Sequence, residues 1–237
     1  MMEERENKVL ANAFGNSLTE DAIGCLGNYV ELGIDSILED GVFKDIPIVS
    51  TVISIFKVGN SIRERQSIKK LIVFLNEIYA GASNTEKLEK YKEKFNSKDK
   101  FQNQQIEYLL VLIDRYISYD KPKMLAKLYM AYLDGEIIWN ELTMYAEAID
   151  RFLIIDADTL FSANETITIH RNIGGESVLR LVALGLMSDI TNMFLDDETN
   201  NEKGQMSWKM VLNMQTVDKT YARTEFGEKL AKILSER

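Results

Sequence analysis

The stretch Ile46–Ile78, IPIVSTVISIFKVGNSIRERQSIKKLIVFLNEI, is the most hydrophobic part of this 237-residue chain, and it decides how the fold is arranged. Its first eleven residues, through Phe56, carry no charge, and Leu71–Leu75 forms a second apolar run. A segment this apolar has to be covered by the rest of the fold or by a membrane surface. We predict a helix that begins near Pro47 and reaches about residue 80, with Gly59 as the place for a break.

Two interpretations of this stretch follow from its residues. In the first it is the buried central helix of the fold, with Val52 in the core and Ile62 on the apolar face. In the second it attaches conditionally to a membrane, because an apolar run beside basic residues suits an anionic interface. The candidate membrane or partner surface consists of the basic residues Lys57, Arg63, Arg65, Lys69 and Lys70.

The charge of the chain is unevenly distributed around this stretch. The net charge is −9, but residues 57–100 hold eleven basic and six acidic residues. Residues 1–45 hold ten acidic and three basic residues, and residues 101–165 are also acidic overall. The one positive region therefore adjoins the apolar stretch, and this predicts an anionic partner.

The pattern of apolar residues predicts a mainly α fold in three parts. Residues 1–82 are expected to form an apolar helical hairpin with the basic segment, whose first helix opens at the capping box Ser17–Glu20. Residues 83–165 follow as a helical bundle with short connections. Residues 166–237 form a small α+β module at the C-terminal end.

This last part carries a recognisable pattern. A helix ends in Leu-Gly-Leu at residues 184–186, and a single β element is predicted between residues 188 and 224, with one strand at Trp208–Met214. A closing helix then opens at Tyr-x-x-Thr-x-Phe-Gly. These residues are Leu184, Gly185, Leu186, Tyr221, Thr224, Phe226 and Gly227. Together they resemble the winged-helix pattern of bacterial proteins, which implies a winged-helix-like module.

The order of the parts resembles uncharacterised bacterial helical proteins of the abortive-infection type. That resemblance rests on an apolar and basic helical segment, a bundle and a winged-helix-like tail. It implies a bacterial or phage-related defence protein that acts through protein–protein contacts, and it brings no catalytic residues with it.

The chain is poorly supplied with residues for catalysis. It has one histidine, His170, and one cysteine, Cys25, and neither has an evident partner in sequence. Asp150, Asp156 and Asp158 lack the glycine and the distal glutamate of a calcium loop, so a solvated turn or a helix cap is the preferred interpretation. We predict no enzymatic activity, no cofactor and no metal.

The alternative function is that of a winged-helix DNA-binding transcriptional regulator. Its presumed recognition helix offers only Arg180, and the hairpin loop Asp196–Gln205 holds four acidic residues against one lysine. Because phosphate contacts require basic side chains, specific nucleic-acid binding is not expected. The expected partners are another protein or a second copy, together with an anionic membrane, in a cytoplasmic protein with conditional peripheral attachment.

Overall fold

A computed structural model describes residues 2–17, 46–55, 62–82, 85–96, 100–162, 166–169, 175–191 and 218–235. The predicted mainly α class is confirmed, since 78% of these residues are helical, in ten α-helices, beside a small three-stranded antiparallel sheet. The α-helices are α1 (Met2–Ser17), α2 (Pro47–Ile55), α3 (Ile62–Gly81), α4 (Thr85–Asn96), α5 (Lys100–Arg115), α6 (Asp120–Asp134), α7 (Trp139–Arg151), α8 (Ala157–Ser162), α9 (Glu176–Ala183) and α10 (Glu225–Ser235). A 3-10 turn spans Ile154–Asp156, and the strands are β1 (Ile167–Ile169), β2 (Met187–Asp189) and β3 (Lys219–Arg223).

The chain forms two compact units, Met1–Ala146 and Glu147–Arg237. In the first unit α1 packs against α2, α4 and α5, and α3 packs against α5 and α6. In the second unit α9 packs against β2 and the 3-10 turn, and α8 packs against α9 and α10. The three-part division predicted from the sequence stays a prediction.

An aromatic cluster occupies the core of the first unit. The rings of Phe14, Phe74 and Tyr129, from α1, α3 and α6, lie 6.1–6.2 Å apart between centroids. Tyr129 also stacks on Tyr132 at 6.0 Å, and Tyr132 meets Trp139 at 5.6 Å. Each such pair contributes about 0.5–1.5 kcal/mol beyond the burial of its surface. These contacts join α1, α3 and α6, which are far apart in sequence, and extend to Trp139 at the start of α7.

The second apolar run of the opening stretch belongs to this core. Leu71–Leu75 is buried at all five positions, so this part of α3 is surrounded by protein on every side. The first run is covered at Ile46, Ile48 and Val49, but Val52 is only half-buried, and its predicted core position is wrong. The fully buried residues of α2 therefore lie at its N-terminal end.

Ser17 joins the first three helices. It is the last residue of α1 and is fully buried, and its hydroxyl donates to the Ala13 carbonyl and accepts the backbone N–H of Ile48 at 2.8 Å. The Tyr79 hydroxyl donates to the Ser17 carbonyl. The first amides of a helix have no partner within it, so Ser17 supplies α2 with a cap from a distant part of the chain.

This placement differs from the predicted capping box. Ser17 closes a helix, α1, that was not predicted, and it caps α2; the helix expected after it lies outside the described residues. Helix α1 was not predicted, because the first residues of the chain are mostly charged. However, its buried residues Leu10, Ala13, Phe14 and Ser17 follow the helical spacing of 3, 4 and 7.

The sheet of the second unit has the order β1-β3-β2, with both pairs antiparallel. β1 lies outside the range 188–224 in which the β element was predicted. It was not predicted because its three residues, Ile167–Ile169, are too few to show the alternation of a strand. The predicted strand Trp208–Met214 lies outside the described residues. Between residues 10 and 155 the described part of the chain contains no strand, as expected.

The Leu-Gly-Leu and Thr-x-Phe-Gly motifs meet at the entry to α10. The Thr224 hydroxyl donates to the Gly185 carbonyl at 2.6 Å and accepts the Gly227 N–H at 3.0 Å. A Cβ atom on Gly227 would lie 1.9 Å from the Leu186 carbonyl oxygen, so only glycine fits there. Gly185 has φ 72°, a left-handed conformation that favours glycine. The two motifs thus form a single contact that fastens the start of α10 to the turn between α9 and β2.

We expect Ser17→Ala to lower the free energy of unfolding of the protein by about 1–2 kcal/mol, because it removes the cap of α2 and a buried hydroxyl with two partners. Urea unfolding followed by circular dichroism measures this change. Asn16→Ala, at the exposed neighbouring position, is the control and should change stability by less than about 0.5 kcal/mol. Equal effects of the two substitutions would contradict the role assigned to Ser17.

Candidate functional site

Lys70 lies inside the protein and does not belong to the predicted surface. Its side chain is buried, and its ammonium donates to the carbonyls of Asp114 at 2.6 Å and Tyr116 at 2.8 Å. These carbonyls lie at the C-terminal end of α5, where helices leave acceptors unsatisfied and where a positive charge is stabilised by the helix dipole. Burial lowers the pKa of the Lys70 ammonium, and the Asp114 carboxylate opposes that effect.

Asp114 is held by two more residues of α3. The Arg63 guanidinium donates to one carboxylate oxygen at 2.9 Å, and the Ser67 hydroxyl donates to the other. Burial works to raise the pKa of Asp114, but the hydrogen bonds from Ser67 and Arg63 outweigh it and hold the pKa below its usual value. Arg63, Ser67 and Lys70 are spaced 4 and 3 residues apart, so one face of α3 grips the end of α5.

The segment after α5 is held by the same helix. Tyr119 donates its hydroxyl to the Gln66 side-chain oxygen, one residue before Ser67. With Tyr116 bound through its carbonyl to Lys70, the residues on both sides of Ile117 are fixed to α3. The position of Ile117 is therefore set by hydrogen bonds at residues 116 and 119.

Two isoleucines are exposed where α3 begins and just after α5 ends. Ile117 is 96% exposed and Ile62, next to Arg63, is 81% exposed. The prediction that Ile62 lies on the buried face of α3 is wrong, because that face starts one turn or more later, at Ile68. Arg65 is also exposed. We call the exposed surface of residues 62–70 and 111–123 the basic face.

The basic face is positive in an acidic protein. Without the buried Lys70, its two segments hold six basic and three acidic residues, whereas the chain has a net charge of −9. Arg63 is largely exposed even though it pairs with Asp114, so that pair contributes little to stability. Of the predicted surface residues, Arg63, Arg65 and Lys69 belong to this face, Lys70 supports it from inside, and Lys57 lies outside the described residues.

A second charged arrangement lies in the second unit, where Asp156 is fully buried. Its two carboxylate oxygens accept from Arg180 Nε at 2.9 Å and Nη2 at 2.6 Å, and the same Nη2 donates to Ser177 at 3.2 Å. The hydrogen bonds from Arg180 hold the pKa of Asp156 below its usual value, against the effect of burial. Asp156 is therefore not in the solvated turn that the sequence suggested.

Arg180 is committed to this pair by a bidentate contact, which is the strongest form of the arginine–carboxylate interaction. The other exposed positions of α9 are Glu176, Leu179 and Ala183. An acidic, an aliphatic and a methyl side chain are poor ligands for phosphate and for base edges. The predicted recognition helix thus presents a surface unlike that of a major-groove reader.

Cys25 and His170 lie outside the described residues, and the described part of the chain contains no group of three His, Cys, Asp or Glu side chains that could hold a metal ion. No described helix is both long enough and apolar enough to cross a membrane. Comparisons with protein-family models, with curated proteins and with solved structures find no match to this chain.

The two neighbouring lysines of α3 are expected to respond differently to replacement. Lys70→Met keeps the apolar stem but leaves two carbonyls at the end of α5 without a charged donor, which should lower the free energy of unfolding by about 1.5–3 kcal/mol. Lys69→Met, at a partly exposed position, should cost less than about 1 kcal/mol. Denaturant titration compares them, and equal losses would show that Lys70 does not hold the helix end.

The buried pair of the second unit predicts a dependence on pH. Since the pKa of Asp156 is lowered in the folded state, its stabilisation is complete above its unfolded value of about 3.9 and is lost as the pH falls through the folded value. Asp156→Asn should therefore lower the melting temperature at pH 7, and the gap to the parent protein should narrow below about pH 4.

Melting curves measured across this pH range test the prediction. Asp158→Asn, two residues further on and exposed, is the control and should lower the melting temperature little at pH 7. A gap for Asp156→Asn that stays constant down to about pH 2 would show that the carboxylate charge is not what stabilises the pair.

Proposed function

We propose that this chain is a non-enzymatic interaction protein that attaches conditionally to an anionic membrane surface through its basic face. The observation that carries the proposal is the display of Ile62 and Ile117, 81% and 96% exposed, beside Arg63 and Arg65 in a chain of net charge −9. Its resemblance to abortive-infection-type proteins supports a defence role in a bacterial or phage-related setting.

Apolar burial and charge attraction act together in such an attachment. Isoleucines that enter the boundary between headgroups and acyl chains leave water, and full burial of such a side chain contributes about 1.5–3 kcal/mol. Each lysine or arginine near an anionic bilayer adds about 1 kcal/mol. The basic face offers both from one end of the unit, and the hydrogen bonds of Lys70, Gln66 and Asp114 hold it in place.

The alternative, a DNA-binding winged-helix regulator, is less well supported. The sheet order β1-β3-β2 and the contact of Thr224 with Gly185 and Gly227 favour the winged-helix resemblance. Against DNA binding stands the exposed face of α9, with Glu176, Leu179 and Ala183, and the use of Arg180 by Asp156. A winged-helix-like module with such a face suits contact with protein better than contact with a phosphate backbone.

Co-sedimentation with vesicles tests the membrane proposal. The full chain should bind vesicles rich in phosphatidylserine and not vesicles of phosphatidylcholine alone, and binding should weaken as salt rises. Ile62→Ser with Ile117→Ser should weaken binding roughly thirtyfold, which corresponds to about 1 kcal/mol for each partly inserted side chain. The melting temperature should not change, since both side chains are exposed.

The control replaces two other exposed apolar residues of the first unit, which lie outside the basic face. Ile138→Ser with Met144→Ser removes side chains that are 63% and 59% exposed and should leave vesicle binding unchanged. Equal binding to both vesicle types, or equal loss in the control variant, would refute attachment through the basic face.

A further inference from the structure

The second unit displays apolar side chains of its own around the Asp156–Arg180 pair. Ile155, next to Asp156, is 76% exposed, and Leu179, next to Arg180, is 56% exposed. Leu153, just before the 3-10 turn, is about half-exposed. Because the bidentate ion pair ties the turn to α9, Ile155 and Leu179 are presented from fixed backbone.

The charge around these residues is opposite to that of the basic face. Residues 147–158 and 176–183 together hold five acidic and two basic residues, and we call their exposed surface the acidic face. Asp156 and Arg180 neutralise each other within it, and Arg151 pairs with Glu147 at 3.7 Å. The exposed carboxylates of Asp158 and Glu176 remain at its edges.

The acidic face and the basic face have net charges of opposite sign, and both present apolar side chains. Each face presents exposed aliphatic side chains, Ile62, Ile117 and Val111 on the basic face and an isoleucine with two leucines on the acidic face, and their net charges are opposite. Opposite potentials around apolar centres are what specific protein interfaces use to select a partner. A second copy of this chain carries the complementary face and is therefore a partner with the required chemistry.

We propose that the acidic face of one copy docks on the basic face of a second copy, in a head-to-tail contact that covers Ile62 and Ile117 until an anionic membrane competes for them. This inference rests on the proposed function for the role of the membrane, but the self-association stands independently of it. The contact uses two different surfaces, so it is heterologous and extends beyond a dimer unless its rotation closes a ring.

Sedimentation velocity on the full chain tests the contact. The parent protein should form oligomers that grow with protein concentration at low salt, about 0.05 M, and dissociate at about 0.5 M, where exposed charges are screened within a few ångströms. A basic-face variant carries Ile62→Ser, Arg65→Glu and Ile117→Ser, and an acidic-face variant carries Ile155→Ser, Glu176→Lys and Leu179→Ser. Each variant alone should be a monomer.

Mixing the two variants gives the decisive result. The intact acidic face of the first variant can still bind the intact basic face of the second, so an equal mixture should form a 1:1 heterodimer and nothing larger. A parent protein that stays monomeric at every concentration overturns the proposal. So does a mixture that stays monomeric, or single variants that still form oligomers.

All six substitutions are at exposed positions, and circular dichroism melting checks that the variants fold. If a triple variant is unfolded, the single charge reversals Arg65→Glu and Glu176→Lys replace it. Each reversal should weaken self-association of the parent chain, and mixing the two should restore a 1:1 complex. Failure of that restoration counts against the proposal in the same way.

Vesicle binding separates this inference from the proposed function. The acidic-face variant, whose basic face is intact and uncovered, should bind phosphatidylserine vesicles at lower lipid concentration than the parent chain. Equal lipid requirements would overturn the idea that self-association covers the isoleucines. A heterodimer from the mixed variants, with no vesicle binding by any form, would leave the self-association in place and refute the membrane role.

Discussion

The buried ammonium of Lys70 is the interaction on which the exposed end of the first unit depends. Removing a charge from water costs several kcal/mol unless hydrogen bonds and opposite charges replace the solvent. Here the carbonyls of Asp114 and Tyr116 and the carboxylate of Asp114 take that role. The ammonium thereby fixes where α5 ends and where the chain turns, and the turn presents Ile117.

The predictions made from sequence succeeded where a feature depends on local spacing. The helical character of residues 83–162 was predictable, because the buried residues of α6 and α7 follow apolar periodicity and α6 ends at Gly135, which adopts a left-handed conformation. The apolar run Leu71–Leu75 is buried in the fold, which was one of its two interpretations. The Thr-x-Phe-Gly motif is also local in sequence, and it was identified by its resemblance to the winged-helix pattern. Its physical basis, the approach of Gly227 to the Leu186 carbonyl, required the structure.

Features that depend on distant residues were missed. Lys69 and Lys70 are adjacent in sequence, and only the position of α5, about forty residues later, puts one at the surface and the other inside. Asp156 looked solvated because its partner, Arg180, lies 24 residues away. Ile62 belongs to the apolar pattern of α3, but the buried part of that helix begins only at Ile68. Sequence spacing reports which residues share a helix face, but not how far a neighbouring helix extends along it.

The order of the strands has a consequence for how the second unit is made. β3 is the central strand, and β1 and β2 each pair with it and not with each other. Thr168 of β1 pairs with Thr220 of β3, 52 residues later, so β1 has no neighbouring strand until β3 has been made. During synthesis the first unit has all its described helix contacts once α7 has begun to emerge, whereas the two outer strands stay unpaired until β3 has emerged. The sheet of the second unit is therefore completed only after β3 has been made, and until then the edges of β1 and β2 have no partner strand.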